Sequence, residues 1–203
     1  MAKTKAPAPP RTQSHEPWLR GTKQDVPAIP RAVLHALELA EEDLHRWCAP
    51  LSDADLNASP SGLPSIAFQI HHIARSIDRL LTYAESGSLN PHQQAQLHSE
   101  SATATHSELF SELDAALATA GTRILALANS NLEQPRTVGE KALPTTLGGL
   151  LVHIADHTQR HVGQTITTAK LLAPSRQGIG SRKHRTPLDI HPIMQPSFEC
   201  TIT

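Results

Sequence analysis

Apolar residues recur at spacings of three, four and seven in four separate stretches of the chain, and this period most constrains its fold. It is typical of amphipathic helices that each bury one face. The predicted helices cover residues 30–48, 64–85, 103–129 and 146–172. No stretch carries the alternating period of a strand. The sequence therefore predicts an all-α protein built as a four-helix bundle.

The two ends of the chain lack this period. Residues 1–28 are rich in proline, which favours a mobile N-terminal arm. The predicted bundle then occupies residues 29–173. Residues 174–203 begin at a proline that stops the last helix, and they show no helical period. We therefore predict a disordered C-terminal tail with little fixed structure.

Composition excludes several classes of protein. A formal net charge of −1 argues against nucleic-acid binding, which usually needs a strongly basic face. No apolar run reaches the roughly 18 residues of a membrane span, and the start of the chain lacks the apolar segment of a secretory signal. Cys48 and Cys200 stand far apart and form no CxxC pair, which favours a reduced compartment. We expect a cytoplasmic protein with no nucleic-acid partner and no membrane partner.

Histidine is frequent, with 13 residues, and two of them share one face of the fourth predicted helix. His157 and His161 are one turn apart and lie about 65° and 25° from the apolar centre line of that helix. Burying two neutral imidazoles costs free energy unless each finds a partner. One divalent cation satisfies both, because the i, i+4 spacing directs two nitrogens to one ion. Two core histidines bonded to neighbours or water are an equally good interpretation of this spacing.

A third ligand has to come from another helix, and the second helix offers His71 and His72. Both lie roughly 125–135° from its apolar line, on opposite edges, so helical geometry does not choose between them.

His35 is predicted on the outer face of the first helix, and Cys48 is interpreted as a core residue rather than a thiolate ligand. No residue stands out as a general base, since Asp156 faces outward and Asp78 is only weakly placed.

Two stretches resemble the second and fourth helices of the DinB-like (DinB/YfiT) superfamily of metal-binding four-helix bundles. They read PSIAFQIHHIA at residues 64–74 and LLVHIADHTQRHVGQ at residues 150–164, and the resemblance covers about residues 29–172. The chain departs from the family at Pro64, where a Trp is frequent, and at Val162, where an Arg is frequent.

The resemblance implies a set of metal ligands. The family places a ligand directly before an Ile-Ala pair, which implies His72 rather than His71. It also implies His157 and His161 as the other two ligands. The metal would be a divalent ion, most often zinc or nickel. Family members are frequently homodimers, so a homodimer is one expectation, although four helices joined by short loops can also bury their own apolar stripes.

Two functions stay open at this point. One is a metal-dependent enzyme of the thiol S-transferase or hydrolase type, with a low-molecular-weight thiol or another small molecule as substrate. The other is a non-catalytic, metal-stabilised module for stress response or ligand binding. A ferritin-like di-iron bundle is the weakest alternative, because it needs paired ExxH motifs and only Glu42 to His45 fits one.

Overall fold

The computed structural model describes residues 15–173, so most of the predicted N-terminal arm and the predicted tail at 174–203 lie outside the described residues. Helices and strands follow one another as α1 (Ala28–Cys48), α2 (Asp53–Asn57), α3 (Ile66–Ala84), α4 (Pro91–Leu97), α5 (His106–Leu127), β1 (Pro135–Val138), β2 (Leu143–Thr146) and α6 (Leu147–Leu172). Short 3-10 helices lie at Pro17–Leu19 and Pro60–Gly62.

The four long helices α1, α3, α5 and α6 form the bundle. Helix α1 packs against α5 and α6, and α3 packs against the same two helices. Their apolar stripes meet in one core, which contains Leu44, Ile70, Leu113 and Leu151 with no exposed surface. The all-α four-helix bundle is therefore confirmed. Across residues 15–173 no helix has an apolar stretch long enough to cross a membrane.

Side chains that accept backbone hydrogen bonds fix where the long helices begin. Ser65 Oγ accepts from the backbone N–H of Phe68 at 3.1 Å, and Thr146 Oγ1 accepts from that of Gly149 at 3.0 Å. Each contact satisfies one of the N–H groups that have no partner in the first turn of a helix. The starts of α3 and α6 therefore have fixed positions, and these two helices carry the site described below.

The prediction that the chain has no strand is wrong in the connection between α5 and α6. Strands β1 and β2 form an antiparallel hairpin in which Pro135 pairs with Thr146 and Val138 pairs with Leu143. Arg136 Nε donates to the backbone oxygen of Ala84 at 2.6 Å and so ties the hairpin to the end of α3. Strands of four residues are too short to show an alternating pattern in the sequence.

Packed structure also begins earlier than residue 29. Pro17 and Val26 are buried, and Arg20 forms ion pairs with Glu38 and Glu42 on α1. Residues 15–27 are held against α1 by ion pairs and turns rather than by a periodic apolar face.

Candidate metal centre

Three histidines meet between α3 and α6. His72 comes from α3, and His157 and His161 come from consecutive turns of α6, with one nitrogen of each ring within 4.8 Å of the others. Nε2 of His72 lies 3.0 Å from Nε2 of His157. Two nitrogens bound to one tetrahedral zinc ion at 2.0–2.1 Å lie roughly 3.4 Å apart. The rings therefore have close to the spacing that a shared cation requires.

Glu100 determines which nitrogen of His72 faces the cluster. Its Oε2 accepts a hydrogen bond from His72 Nδ1 at 2.8 Å, and its Oε1 accepts one from Arg79 Nη2 at 2.8 Å. Burial raises the pKa of Glu100, but the hydrogen bonds from His72 and Arg79 outweigh burial and lower it. The carboxylate is thus ionised, and by accepting from Nδ1 it leaves Nε2 of His72 directed at the cluster, the orientation that a metal-binding histidine requires.

Gln69 has the same role for His161. Its Oε1 lies 2.6 Å from His161 Nδ1, which donates, and its Nε2 donates to Gln164 Oε1 at 3.2 Å. Gln69 is almost fully buried. Since Nδ1 of His161 carries the proton, Nε2 of that ring is available to a cation.

The surroundings keep the two histidines of α6 neutral. Burial lowers the pKa of His157 to about 4, with further contributions from His161, His72 and His153. Burial also lowers the pKa of His161, and the neighbouring His72 and Arg160 lower it further. Only the neutral imidazole has a lone pair for a metal, so no deprotonation of these rings is needed near neutral pH.

The structure separates the two neighbouring histidines of α3. His71 is buried, with Nδ1 donating to the backbone oxygen of Glu100 at 3.3 Å and Nε2 3.6 Å from Glu112 Oε2. It therefore points toward α5 and the segment before it, away from α6. His72 is the member of the pair that joins the cluster, in agreement with the family resemblance.

Other residues considered from the sequence lie apart from the histidine cluster. Asp156 is exposed and bonds to Arg160, as its predicted outward position requires. Asp78 pairs with Arg123. Cys48 lies in the apolar core, where burial raises the pKa of its thiol to about 12, so it is a core residue as predicted.

The di-iron alternative gains no support from the partners of its two residues. Glu42 bonds to Arg20, while His45 Nε2 bonds to Asp114 Oδ1 at 2.7 Å. The two side chains of the only ExxH motif therefore face different partners. His45 lies instead with Glu41 and Asp114, a second group of possible ligands, whereas the cluster between α3 and α6 contains histidines alone.

Sequence reasoning missed two residues that orient the ligands, Glu100 and Gln69. Glu100 lies in a turn between α4 and α5, where no period marks a buried side chain. Gln69 precedes His72 by three positions on α3, so it shares a face with that histidine. A search for polar residues one turn from a predicted ligand would have found Gln69, whereas Glu100 had no comparable signal.

Comparison with known proteins gives one family. A family model described as the DinB superfamily matches residues 36–165, a range that covers most of the bundle and includes all three histidines. No match was found among curated proteins or among solved structures.

Proposed function

The chain belongs to the DinB superfamily, and from this premise we propose that His72, His157 and His161 hold one divalent metal ion, zinc or nickel, in a metal-dependent enzyme. The observation that carries the proposal is the convergence of three imidazole nitrogens within 4.8 Å between two helices. Imidazole is a ligand that suits both metals. The hydrogen bonds of Glu100 and Gln69 support the proposal, because they present Nε2 of His72 and of His161 to the same centre.

Three protein ligands fit a catalytic site better than a structural one. Structural zinc sites are closed by four protein ligands, whereas catalytic sites keep a position for water or substrate. When bound, such an ion lowers the pKa of a water or thiol ligand and so provides a nucleophile near neutral pH. The protein itself keeps the imidazoles neutral by burial, and Glu100 and Gln69 fix their orientation.

The reaction class follows from this nucleophile. We propose that the protein transfers a low-molecular-weight thiol to a small electrophile or hydrolyses a small molecule. We further propose that it acts in the cytoplasm as a homodimer. Asp78 and Asp156 are each held by an arginine, Arg123 and Arg160, and neither belongs to the histidine cluster. A thiol is much more acidic than water, so a bound thiol loses its proton to solvent more readily than a bound water does, which favours thiol transfer over hydrolysis.

A non-catalytic module is the second candidate, and one observation favours it. The carboxylate in direct contact with the cluster, Glu100, is already bonded to His72 and Arg79. A bound ion would then act chiefly to join α3 to α6. In that case chelation would unfold the protein, and no thiol would react in its presence.

The experiment is elemental analysis of untagged protein, followed by activity assays. We expect about one divalent ion per chain and its loss in the variant His157→Ala/His161→Ala. His153→Ala is the matched control, since His153 is an exposed histidine one turn away on the same helix. Full metal content in the double variant would refute the site.

Assays then separate the two candidates. The metal-loaded protein would be given several low-molecular-weight thiols, each with a chlorinated arene or an epoxide as electrophile. Metal-dependent product formation supports the enzyme. Metal-loaded protein that forms no product and unfolds on chelation supports the module.

A further inference from the structure

A cavity of about 400 Å³ lies beside the histidine cluster, between α6 and the residues around the start of α3. Its lining includes Leu63, Pro64, Gln69, Arg160, Gly163 and Gln164. Gln69 is the residue that accepts the hydrogen bond from His161. A molecule in the cavity would therefore contact the side chains that orient a proposed metal ligand.

Gly163 leaves the wall of the cavity without a side chain in the middle of α6. A glycine inside a helix costs about 1 kcal/mol relative to alanine, so its presence in the middle of α6 requires a reason. Close packing of a neighbouring element is not that reason, because a Cβ atom at Gly163 would meet no atom within 4 Å among the described residues, apart from the adjoining residues and backbone of α6 itself. The missing side chain instead leaves space along this face of α6, which a larger residue would fill.

The walls of the cavity offer two kinds of contact. Leu63 and Pro64 provide an apolar surface on one side. Arg160 also lines the cavity, and its guanidinium pairs with Asp156 through Nη2. Both partners of that pair are more than half exposed, and an exposed i, i+4 pair contributes only about 0.3–0.5 kcal/mol. The guanidinium can therefore turn toward an anionic ligand at little cost.

We propose that this cavity binds a small organic carboxylate with a short apolar body. The carboxylate of the ligand bonds to Arg160, because a guanidinium offers paired N–H donors that match the two oxygens of a carboxylate. The apolar body lies against Leu63 and Pro64, and the amide of Gln164 is within the same cavity for a polar group. The proposal rests on the proposed function insofar as this molecule is the substrate, but binding in the cavity does not itself require the ion.

The test uses phenylacetate, phenylpropionate and phenylbutyrate as probes, with phenylpropanol as the uncharged comparison. Binding to the full chain is measured by calorimetry or saturation-transfer NMR. We expect at least one carboxylate to bind about fivefold more tightly than the alcohol, the difference between a charge-assisted and a neutral hydrogen bond. Failure of all three carboxylates to bind would overturn the proposal.

Two variants place the ligand in the cavity. Gly163→Leu should abolish binding while metal content stays unchanged, and Arg160→Gln should remove the preference for the carboxylates over the alcohol. Gly121→Leu is the matched control, because Gly121 lies within α5 and a Cβ atom there also meets nothing within 4 Å. It should bind the probes as the wild type does.

Metal-free protein separates this proposal from the proposed function. Carboxylates that still bind to His157→Ala/His161→Ala support the cavity. Binding that disappears with the metal but persists in Gly163→Leu would show that the carboxylate coordinates the ion, which overturns the cavity site while leaving the metal site intact. Wild-type protein that binds the probes but holds no metal would refute the proposed function and retain the binding site.

Discussion

The carboxylate of Glu100 lies 2.8 Å from Nδ1 of His72, and this contact turns Nε2 of His72 toward His157. The same carboxylate is held by Arg79, so its position does not depend on the histidine alone. The turn between α4 and α5 thereby takes part in a site whose proposed ligands all come from α3 and α6. This relationship leads to the first prediction.

Glu100→Gln should weaken metal binding by about 10- to 100-fold, the usual effect of removing a group that orients a metal-binding histidine. The amide carries no charge and holds both the tautomer of His72 and the cation of Arg79 less well. Metal affinity is measured by competition with a chromogenic chelator. Glu112→Gln is the control, since Glu112 pairs with Arg75 on the same side of the bundle. Equal affinities for the two variants would contradict the role of Glu100.

A bound ion should also stabilise the folded chain. At a free metal concentration of 100 times the dissociation constant, the free energy of unfolding should rise by about 2.7 kcal/mol. For a domain of this size that corresponds to an increase of roughly 5–11 °C in Tm. Thermal unfolding with zinc, with nickel and with chelator measures the increase. The variant His157→Ala/His161→Ala should show none, and a metal-dependent increase in that variant would place the ion elsewhere.

The positions of the long helices could be predicted because each carries a sustained apolar period, and the observed bounds differ from the predicted ones by no more than three residues. The choice between His71 and His72 could not be made from helical angles. They lie on opposite edges of α3, and which edge faces α6 depends on how the bundle is arranged. The family resemblance supplied that choice.

Contacts between distant segments account for the rest of what the sequence did not predict. His35 was predicted on the outer face of α1, yet it is 6% exposed because residues 15–27 cover it. Arg20, which holds that segment against Glu38 and Glu42, gives no periodic signal. The environment of His35 therefore depends on residues 15–27, which carry no helical period in the sequence.

Cys48 should be unreactive in the folded protein. It has no exposed surface, and burial raises the pKa of its thiol to about 12, so the thiolate that reacts with disulfide reagents is scarce. The variant Cys200→Ser leaves Cys48 as the sole thiol. Ellman's reagent at about pH 8 should modify it slowly in buffer and rapidly in concentrated guanidinium. Rapid modification in buffer would mean that the core around Cys48 opens readily.

His35 should make the stability of the fold depend on pH. Its Nε2 lies 3.1 Å from Thr22 Oγ1, and its pKa is lowered by burial first and then by Lys23, with Arg31 adding to the shift and Glu38 opposing it. A lowered pKa means that the folded state prefers the neutral ring. Its contribution to stability is therefore complete above the unfolded pKa of about 6.5 and is lost as the pH falls through the lower folded pKa.

Urea unfolding at about pH 7.5 and about pH 5.5 measures this contribution, with chelator present so that metal release does not add to it. The wild type should lose more stability between these pH values than His35→Gln, whose amide bonds to Thr22 without titrating. His98→Gln is the control, because His98 is exposed at the end of α4, and it should follow the wild type. Parallel losses in the wild type and in His35→Gln would show that burial of His35 does not disfavour its charged form.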